Sequence, residues 1–322
     1  MMKRWLACLA MLLLVPAGAG CWGFFAHQQI NRLAVFTLPP EMSWFYKKHI
    51  TYLTENAVNP DKRRYRIAAE GPRHFIDLDA YGDSARQILP LTWAAAEKKF
   101  GTDSLNKHGV VPWHLSLVKY QLTEAFRQHD VANILRLSAD LGHYVADACV
   151  PLHTTRNYNG QLTNQHGIHG LWESRLPEIF AGQYDFFTGP ASYLPHIQQK
   201  GWEIVWRSHA AVDSVLRLER ETAAEIRDDR KYAFEERAGV TVKVYSRAYA
   251  TAYHQKLSGQ VERQMRLAVS LVGSFWYTCW VDAGQPNLRQ LQALTQEQQK
   301  ALEAERQQLQ PVLVPVQPHD DH

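Results

Sequence analysis

The sequence predicts an all-α, single-domain protein, and three observations support this fold class. Apolar residues recur three or four apart along most of the chain, interrupted by only a few short β-like runs. Pro and Gly cluster at 38–40, 71–72 and 189–190, where they indicate loops rather than hairpins. A chain of 322 residues with 46% hydrophobic side chains can bury one large core.

The first predicted segment, residues 1–21, has the organisation of an export signal. Lys3 and Arg4 form a positive start, Trp5–Val15 is an apolar run, and the segment ends in small residues. The apolar run is too short to span a bilayer. We therefore expect a secreted or periplasmic protein.

The small-residue end offers three ways of processing. Cleavage after Cys21 would make Trp22 the mature N-terminus, and this is the outcome we expect. Cleavage after Ala19 would leave two residues ahead of Trp22. Lipid attachment at Cys21 would tether the protein to a membrane, but Gly18 stands where lipoprotein signals favour a bulky aliphatic residue.

The main predicted domain covers residues 22–284, and its longest helices are indicated by apolar residues on one face. These helices are predicted over Val111–His129, Val131–Val150 and Val261–Cys279. Residues 285–322 are Gln-rich and Pro-ended, which predicts an exposed helix and a frayed tail.

The overall charge of the mature chain argues against one class of partner. Without Lys3 and Arg4, the 35 Lys and Arg become 33, against 32 Asp and Glu. A nearly neutral surface lacks the broad positive field that binds duplex DNA. Within the predicted domain, Cys149 and Cys279 could form a disulfide or remain buried thiols, and the sequence leaves both open.

Between Leu141 and Glu173 the chain carries two pairs of potential metal ligands at helical spacing. Residues four apart lie on one helix face, about 40° from eclipsed, so each pair can bind one ion. Imidazole and carboxylate suit zinc, and sites with several such ions are usually hydrolytic. Pro151 is expected to end the first helix, so that a histidine beyond it can reach a second ion. The residues are His143 with Asp147, His169 with Glu173, and His153 between the pairs.

Three further motifs precede these pairs: Trp22-Gly-Phe-Phe-Ala-His27, Asp61 in PDKRR, and His74 in HFIDLD. With the later pairs, this ordered set resembles the superfamily of zinc-dependent phospholipases C and single-strand-specific nucleases of the S-one/P-one type. The resemblance extends from Trp22 to about Glu173, and more loosely to the late long helix. It implies an all-α fold around a trinuclear zinc cleft.

The resemblance implies a division of the ligands among three Zn²⁺ ions. Asp147 would bridge two ions, and the free amine and carbonyl of Trp22 would bind one of that pair. His166 could replace His169, but its spacing from Glu173 makes a supporting position more consistent. The implied sets are Asp61, His74, His143 and Asp147; Trp22, His27 and Asp147; and His153, His169 and Glu173.

The two branches of this superfamily differ in substrate, and both leave traces here. Arg64 matches the phosphate-binding arginine of the nucleases, and the Trp22/His27 spacing agrees with them. Glu173, in place of an aspartate, and the short gap from His153 to His169 resemble the phospholipases. In a nuclease, Phe75 would stack on a base and Asp77 would hydrogen-bond to the edge of that base. In a phospholipase, the ring of Phe75 would help enclose a choline-like head group.

We therefore expect a zinc-dependent phosphodiester hydrolase with Asp61 and Arg64 as catalytic residues and with Phe75 and Asp77 contacting the substrate. The leading substrate is single-stranded nucleic acid or a nucleotide 3′-phosphate. The alternatives are a phospholipase C acting on phospholipid head groups and a zinc-stabilised binding protein without turnover. No obligate protein partner is evident.

Overall fold

In a computed structural model, residues 23–237, 239–291 and 294–309 are described, and most of them are helical. This confirms the mostly helical class that the sequence predicts. The α-helices are α1 (Phe24–Ala34), α2 (Pro40–Lys48), α3 (Ile50–Glu55), α4 (Asn59–Arg64), α5 (Ala85–Ile88), α6 (Trp93–Phe100), α7 (Thr102–Lys107), α8 (Val111–Arg127), α9 (Val131–Ala148), α10 (Ile168–Gly170), α11 (Leu176–Phe180), α12 (Ile197–His209), α13 (Val212–Glu225), α14 (Arg247–Leu257), α15 (Gln260–Asp282) and α16 (Gln296–Gln308).

The core is built from the three long helices that the sequence predicts, and their bounds agree with the predicted ones to within a few residues. Helices α8 and α9 pack against each other, and α15 packs against both of them and against α1. Large buried side chains, including Trp276 on α15 and Tyr144 on α9, fill the space between these helices. This core fixes α1 and α9, which carry candidate ligands.

Local sequence signals explain the two ends of α9. At its start, the Asp130 side chain accepts a hydrogen bond from the backbone N–H of Asn133 (3.1 Å), as an N-cap aspartate does. At its end, the helix stops at Ala148, and Pro151 opens a 3₁₀ helix, Pro151–Thr154. The predicted stop is therefore confirmed, and His153 lies just beyond it.

One part of the described chain departs from the all-α prediction. Strands β1 (Tyr232–Arg237) and β2 (Val240–Tyr245) form an antiparallel hairpin in which Arg237 pairs with Val240. The physical cause is alternation: Val240, Val242 and Val244 share one face, and β-branched residues favour extended backbone. Gly239, at φ +77°, provides the positive φ that the tight turn needs.

Other sequence predictions have mixed outcomes. Cys149 and Cys279 are both buried free thiols, so the disulfide alternative is wrong. The exposed Gln-rich helix exists as α16. No helix among the described residues is long and apolar enough to cross a membrane. The predicted signal, Trp22 and the tail after residue 309 lie outside the described residues.

Candidate metal centre

Helix α9 presents His143 and Asp147 on one face, and both side chains are fully buried. The Nε2 atom of His143 is 3.1 Å from Oδ2 of Asp147. The Nδ1 atom of His143 lies 2.8 Å from the carbonyl oxygen of Ala57, so Nδ1–H donates there and the Nε2 lone pair faces the carboxylate. The backbone carbonyl thus selects the tautomer that can act as a metal ligand.

Two distant segments add a histidine and a carboxylate to this pair. His74 ends the 3₁₀ helix Gly71–His74, and its Nδ1 lies 2.9 Å from Asp147 Oδ2 and 3.0 Å from His143 Nε2. Asp61, in the first turn of α4, places Oδ1 3.7 Å from His143 Nε2 and 3.8 Å from His74 Nδ1. Four buried donor groups from three chain segments therefore surround one point.

The second carboxylate oxygen of Asp147 faces a different pair of imidazoles. Its Oδ1 is 3.4 Å from Nε2 of His27 and 3.6 Å from Nδ1 of His153. His27 comes from α1, and its ring stacks on that of His143 with centroids 3.9 Å apart. Oδ2 of Asp147 thus faces His74 and His143, whereas Oδ1 faces the ring nitrogen of His27, and a carboxylate whose oxygens are divided in this way can bridge two ions.

A further group of donors lies around Glu173. Its Oε2 is 3.3 Å from His153 Nε2 and 3.0 Å from His169 Nε2. Because the Nδ1 of His153 lies 2.8 Å from the carbonyl oxygen of His74, its Nε2 lone pair is turned toward Glu173. His166, the alternative to His169, is exposed at the cleft and contributes its backbone oxygen to Tyr245.

The helix that carries Glu173 is not the regular α-helix that the sequence predicts. His169 lies on α10, but this helix ends at Gly170, and the five residues that follow it form a π-helix, Leu171–Arg175. Single π-turns of this kind occur frequently at functional sites. The wider turn still brings the side chains of His169 and Glu173 into contact, so the predicted i,i+4 pair is present with a different backbone.

Burial and mutual contacts set the protonation of these groups. Burial lowers the pKa of His74 to about 3 and also lowers that of His27, so both rings are neutral and keep a lone pair for a cation. Burial raises the pKa of Glu173, but its contacts with His169 and His153 outweigh burial and lower that pKa to about 2. Histidine contacts likewise hold the pKa of Asp147 well below its usual range, against the effect of its burial.

Asp61 is the exception, because burial raises its pKa to about 7. Neither of its oxygens has a hydrogen-bond partner in the part of the chain that the structure describes, and the same holds for Oδ1 of Asp147 and Oε2 of Glu173. Buried carboxylate oxygens are normally hydrogen-bonded or bound to a cation. These oxygens therefore fit a set of bound cations, and imidazole with carboxylate is a donor set that zinc accepts.

Some of the donor groups line a cleft with a volume of about 1630 Å³. Arg64, Phe75 and Asp77 line it, as do His74, His153, His169 and Glu173. Burial and the neighbouring Asp79 raise the pKa of Asp77 to about 7. The candidate substrate-binding residues and these candidate ligands therefore face the same cleft, as their proposed roles require.

The structure brings together every predicted side-chain ligand that lies within the described residues. Trp22 lies outside them, but Gly23, the next residue, lines the same cleft. Three groups could each hold a cation: His27, Asp61 and His143; His74, His143 and Asp147; and His153, His169 and Glu173. The group of His27, Asp61 and His143 differs from the predicted sets. The prediction places Asp61 and His74 around the same ion and His27 around a different one.

Sequence reasoning did not find two features of the site. The hairpin β1–β2 lines the cleft, and its apolar side is visible in the sequence only as alternating valines. Glu70 is buried beside His74 and is surrounded by two arginines and Tyr144. Its position four residues before His74 was a possible signal, but a lone glutamate at that spacing is common on helices.

Comparison with known proteins adds no family assignment. No protein-family model matches the chain, and no curated protein is significantly similar to it. The interpretation of the site consequently depends on its own geometry and chemistry.

Proposed function

We propose that this protein is a zinc-dependent phosphodiester hydrolase of the single-strand-specific nuclease type, exported from the cell and acting on single-stranded nucleic acid or nucleotide 3′-phosphates. The proposal rests on the contacts of the Asp147 carboxylate. Its two oxygens face separate histidine groups, and Glu173 gathers two more histidines beside the same cleft. Adjacent cations can stabilise both the attacking and the leaving oxygen in the hydrolysis of a phosphodiester.

The proposed ligands divide as the resemblance implies. Asp61, His74, His143 and Asp147 would hold one Zn²⁺, His27 with Asp147 and the Trp22 backbone a second, and His153, His169 and Glu173 a third. Zinc bound at these positions would supply Lewis-acid charge to a phosphate and make water a nucleophile near neutral pH.

The protein's own side chains would position the substrate. Arg64, at the end of α4, lines the cleft one helical turn from Asp61, and its planar guanidinium suits a phosphoryl oxygen. Phe75 offers a ring face to a base, and Asp77 offers a carboxyl group to its polar edge. Hydrolysis of the diester consumes one water and yields a phosphate monoester and an alcohol.

A phospholipase C remains the second candidate, and one observation favours it. Apolar side chains lie along the cleft: Phe24 is 44% exposed, Leu162 is 65% exposed, and Val240, Val242 and Val244 belong to the hairpin that lines it. Such a surface could accept the acyl chains of a lipid. Both candidates share the proposed zinc chemistry and differ only in what the cleft binds.

A direct assay separates the candidates. Purified full-length protein, loaded with zinc, is incubated with single-stranded DNA, RNA, duplex DNA, a nucleotide 3′-phosphate and phosphatidylcholine vesicles. We expect hydrolysis of the single-stranded polymers or the 3′-phosphate and little attack on duplex DNA. Release of phosphocholine alone would establish the phospholipase alternative. Zinc binding without turnover on any substrate would leave the non-catalytic binding protein.

The role of Arg64 is tested in the same assay by Arg64→Ala. Loss of a charge-assisted contact to the developing phosphoryl charge should cost about 2–4 kcal/mol, or about 30- to 1000-fold in turnover. Zinc content should not change. Arg66→Ala is the control, because Arg66 is exposed two residues further along and does not line the cleft. Equal rates for the two variants would contradict the role of Arg64.

A further inference from the structure

Glu70 is a buried carboxylate immediately behind the metal centre. It is only 1% exposed and immediately precedes the 3₁₀ helix Gly71–His74. Arg73 Nη1 donates to its Oε2 at 2.7 Å, and Arg63 Nε lies 3.6 Å from the same oxygen. The hydroxyl of Tyr144, the residue after His143 on α9, donates to Oε1. The carboxylate is therefore fixed by contacts from three segments.

The two nitrogens of His74 face opposite ways. Nδ1 faces the ligand group, 2.9 Å from Asp147 Oδ2. Nε2 faces Oε1 of Glu70 across 3.9 Å, and this buried nitrogen has no hydrogen-bond partner among the described residues. The gap is about 1 Å longer than a hydrogen bond, so the bond that we infer requires the two groups to move closer together. Asp61 and Asp147 approach His74 most closely at Nδ1, whereas Glu70 approaches it most closely at Nε2.

We infer that Glu70 is a positioning residue for the metal centre: it accepts the Nε2–H of His74 and so keeps the Nδ1 lone pair of that ring turned toward the ligands Asp61 and Asp147. This inference rests on the proposed zinc centre. A carboxylate behind a metal-binding histidine fixes the tautomer and the orientation of its ring and raises the basicity of the ligating nitrogen.

The surrounding network suits this role because it holds Glu70 while leaving His74 within its reach. Arg63 also binds Asp140 at 2.9 Å and lies 3.7 Å from Glu305 on α16, so it is anchored independently of Glu70. The ring of Tyr144 packs edge-on against that of His74, with centroids 5.5 Å apart. Tyr144 thus limits the tilt of the imidazole while its hydroxyl limits the movement of Glu70.

The first test measures zinc affinity in Glu70→Gln, a substitution that keeps the volume but can place an amide NH₂ toward His74. Full-length protein is stripped of metal and titrated with zinc against a chromophoric chelator. We expect the affinity of one site to fall about 10- to 100-fold, the range found when such supporting residues are changed. Glu305→Gln is the control, because it removes a partner of Arg63 without touching His74.

The outcomes separate the inference from the proposed function. If Glu70→Gln binds zinc with wild-type affinity, the positioning role is wrong. It is also wrong if Glu305→Gln loses as much affinity as Glu70→Gln, because the loss would then come from Arg63. Failure of the wild-type protein to bind zinc would instead overturn the proposed function.

A second measurement needs no variant of Glu70 and applies even if Glu70→Gln fails to fold. Nitrogen-15 correlation spectra of the histidine rings report which nitrogen carries the proton, and His74→Gln assigns the signal. In the metal-free protein Nδ1–H of His74 can donate to Asp147, so we expect zinc binding to move the proton of His74 to Nε2. A proton on Nδ1 in the zinc-loaded protein would overturn the inference.

Discussion

Asp61 is distinguished from the other candidate ligands by its protonation. The histidine contacts that keep Asp147 and Glu173 ionised are weaker at Asp61, whose nearest imidazole nitrogens lie 3.7 and 3.8 Å away. Burial consequently raises the pKa of Asp61 to about 7. Below that pH the metal-free site carries a proton that a cation must displace.

We therefore predict that zinc binding releases a proton from Asp61 at pH 6 and releases almost none from it at pH 8. His27 and His74 add little at either pH, since burial lowers the pKa of His27 and holds that of His74 at about 3. Calorimetric titration at both pH values, in buffers with different ionisation enthalpies, measures the number of protons released.

Asp77→Asn is the matched control for this experiment. The pKa of Asp77 is also raised to about 7, but Asp77 lies outside all three groups of candidate ligands. Proton release at pH 6 should persist in Asp77→Asn. Its disappearance there, or its absence in the wild-type protein, would contradict the assignment to Asp61.

At this scale the sequence predicts ligands well where the spacing is local. His143 and Asp147 follow from helical periodicity alone, because residues four apart share a face. Asp61 and His74 required the resemblance, since their convergence on α9 depends on tertiary packing that no local pattern encodes. Neither helical spacing nor the resemblance predicted a role for Glu70. Its partners Arg63, Arg73 and Tyr144 form no recognisable motif in the sequence, and they contact Glu70 only because α4 and α9 pack together.

Among the secondary-structure elements, the contact between α1 and α9 determines where His27 lies relative to His143. Asn31 on α1 donates hydrogen bonds to the carbonyl oxygens of Leu53 (3.3 Å) and Ala139 (3.1 Å). Its side chain occupies the space beside Gly142 on α9, where an added Cβ would lie 2.0 Å from Asn31 Oδ1. Only glycine permits this approach of the two helices.

Gly142→Ala should therefore destabilise the protein even though alanine favours helix by about 1 kcal/mol over glycine. Overpacking and disturbance of the buried Asn31 bonds should lower the free energy of unfolding by about 1–3 kcal/mol. Urea unfolding of the metal-free protein measures this loss. We also expect weaker zinc binding, because α1 carries His27.

Gly182→Ala is the control for the glycine substitution itself. Gly182 lies in the 3₁₀ helix Ala181–Gln183, and among the described residues no atom beyond its chain neighbours lies within 4 Å of an added Cβ. We expect its stability to be unchanged or slightly raised. A loss in Gly182→Ala as large as that in Gly142→Ala would show that close packing against Asn31 is not the cause.

The elements also show which structural features a sequence pattern can predict. Helices α8, α9 and α15 are long and strongly periodic, and the sequence predicts each of them. The hairpin was not predicted as an element, because six-residue strands with partly exposed faces give a short signal. The π-helix at Glu173 has the same apolar spacing as an α-helix over five residues, so periodicity cannot distinguish the two.

For the whole molecule, the buried titratable groups oppose one another in their effect on stability. Burial holds the pKa of His74, and that of His114 on α8, at about 3. Unfolding would let both rings take up protons below about pH 6.5, so the stability gained from burying them neutral is lost as the pH falls below that value. Asp61 and Asp77 act in the opposite direction, because their pKa values in the folded state are raised to about 7.

The carboxyl groups of Asp61 and Asp77 stabilise the fold while they are protonated; this contribution is full below about pH 4 and is lost as the pH rises to about 7. Because the two histidines act in the opposite direction up to about pH 6.5, the Tm of the metal-free protein should change little between about pH 5 and 6.5, fall as the pH approaches 7, and level off above it. The shift is about 2–4 °C for each kcal/mol lost. Calorimetry of chelator-treated protein from pH 5 to 9 tests this.

Asp77→Asn should reduce the fall on the alkaline side, and excess zinc should reduce it further, because the ion compensates the charge of Asp61 and stabilises by mass action. A Tm that rises steadily through pH 8 without metal would show that these carboxyl groups are not buried as the fold places them.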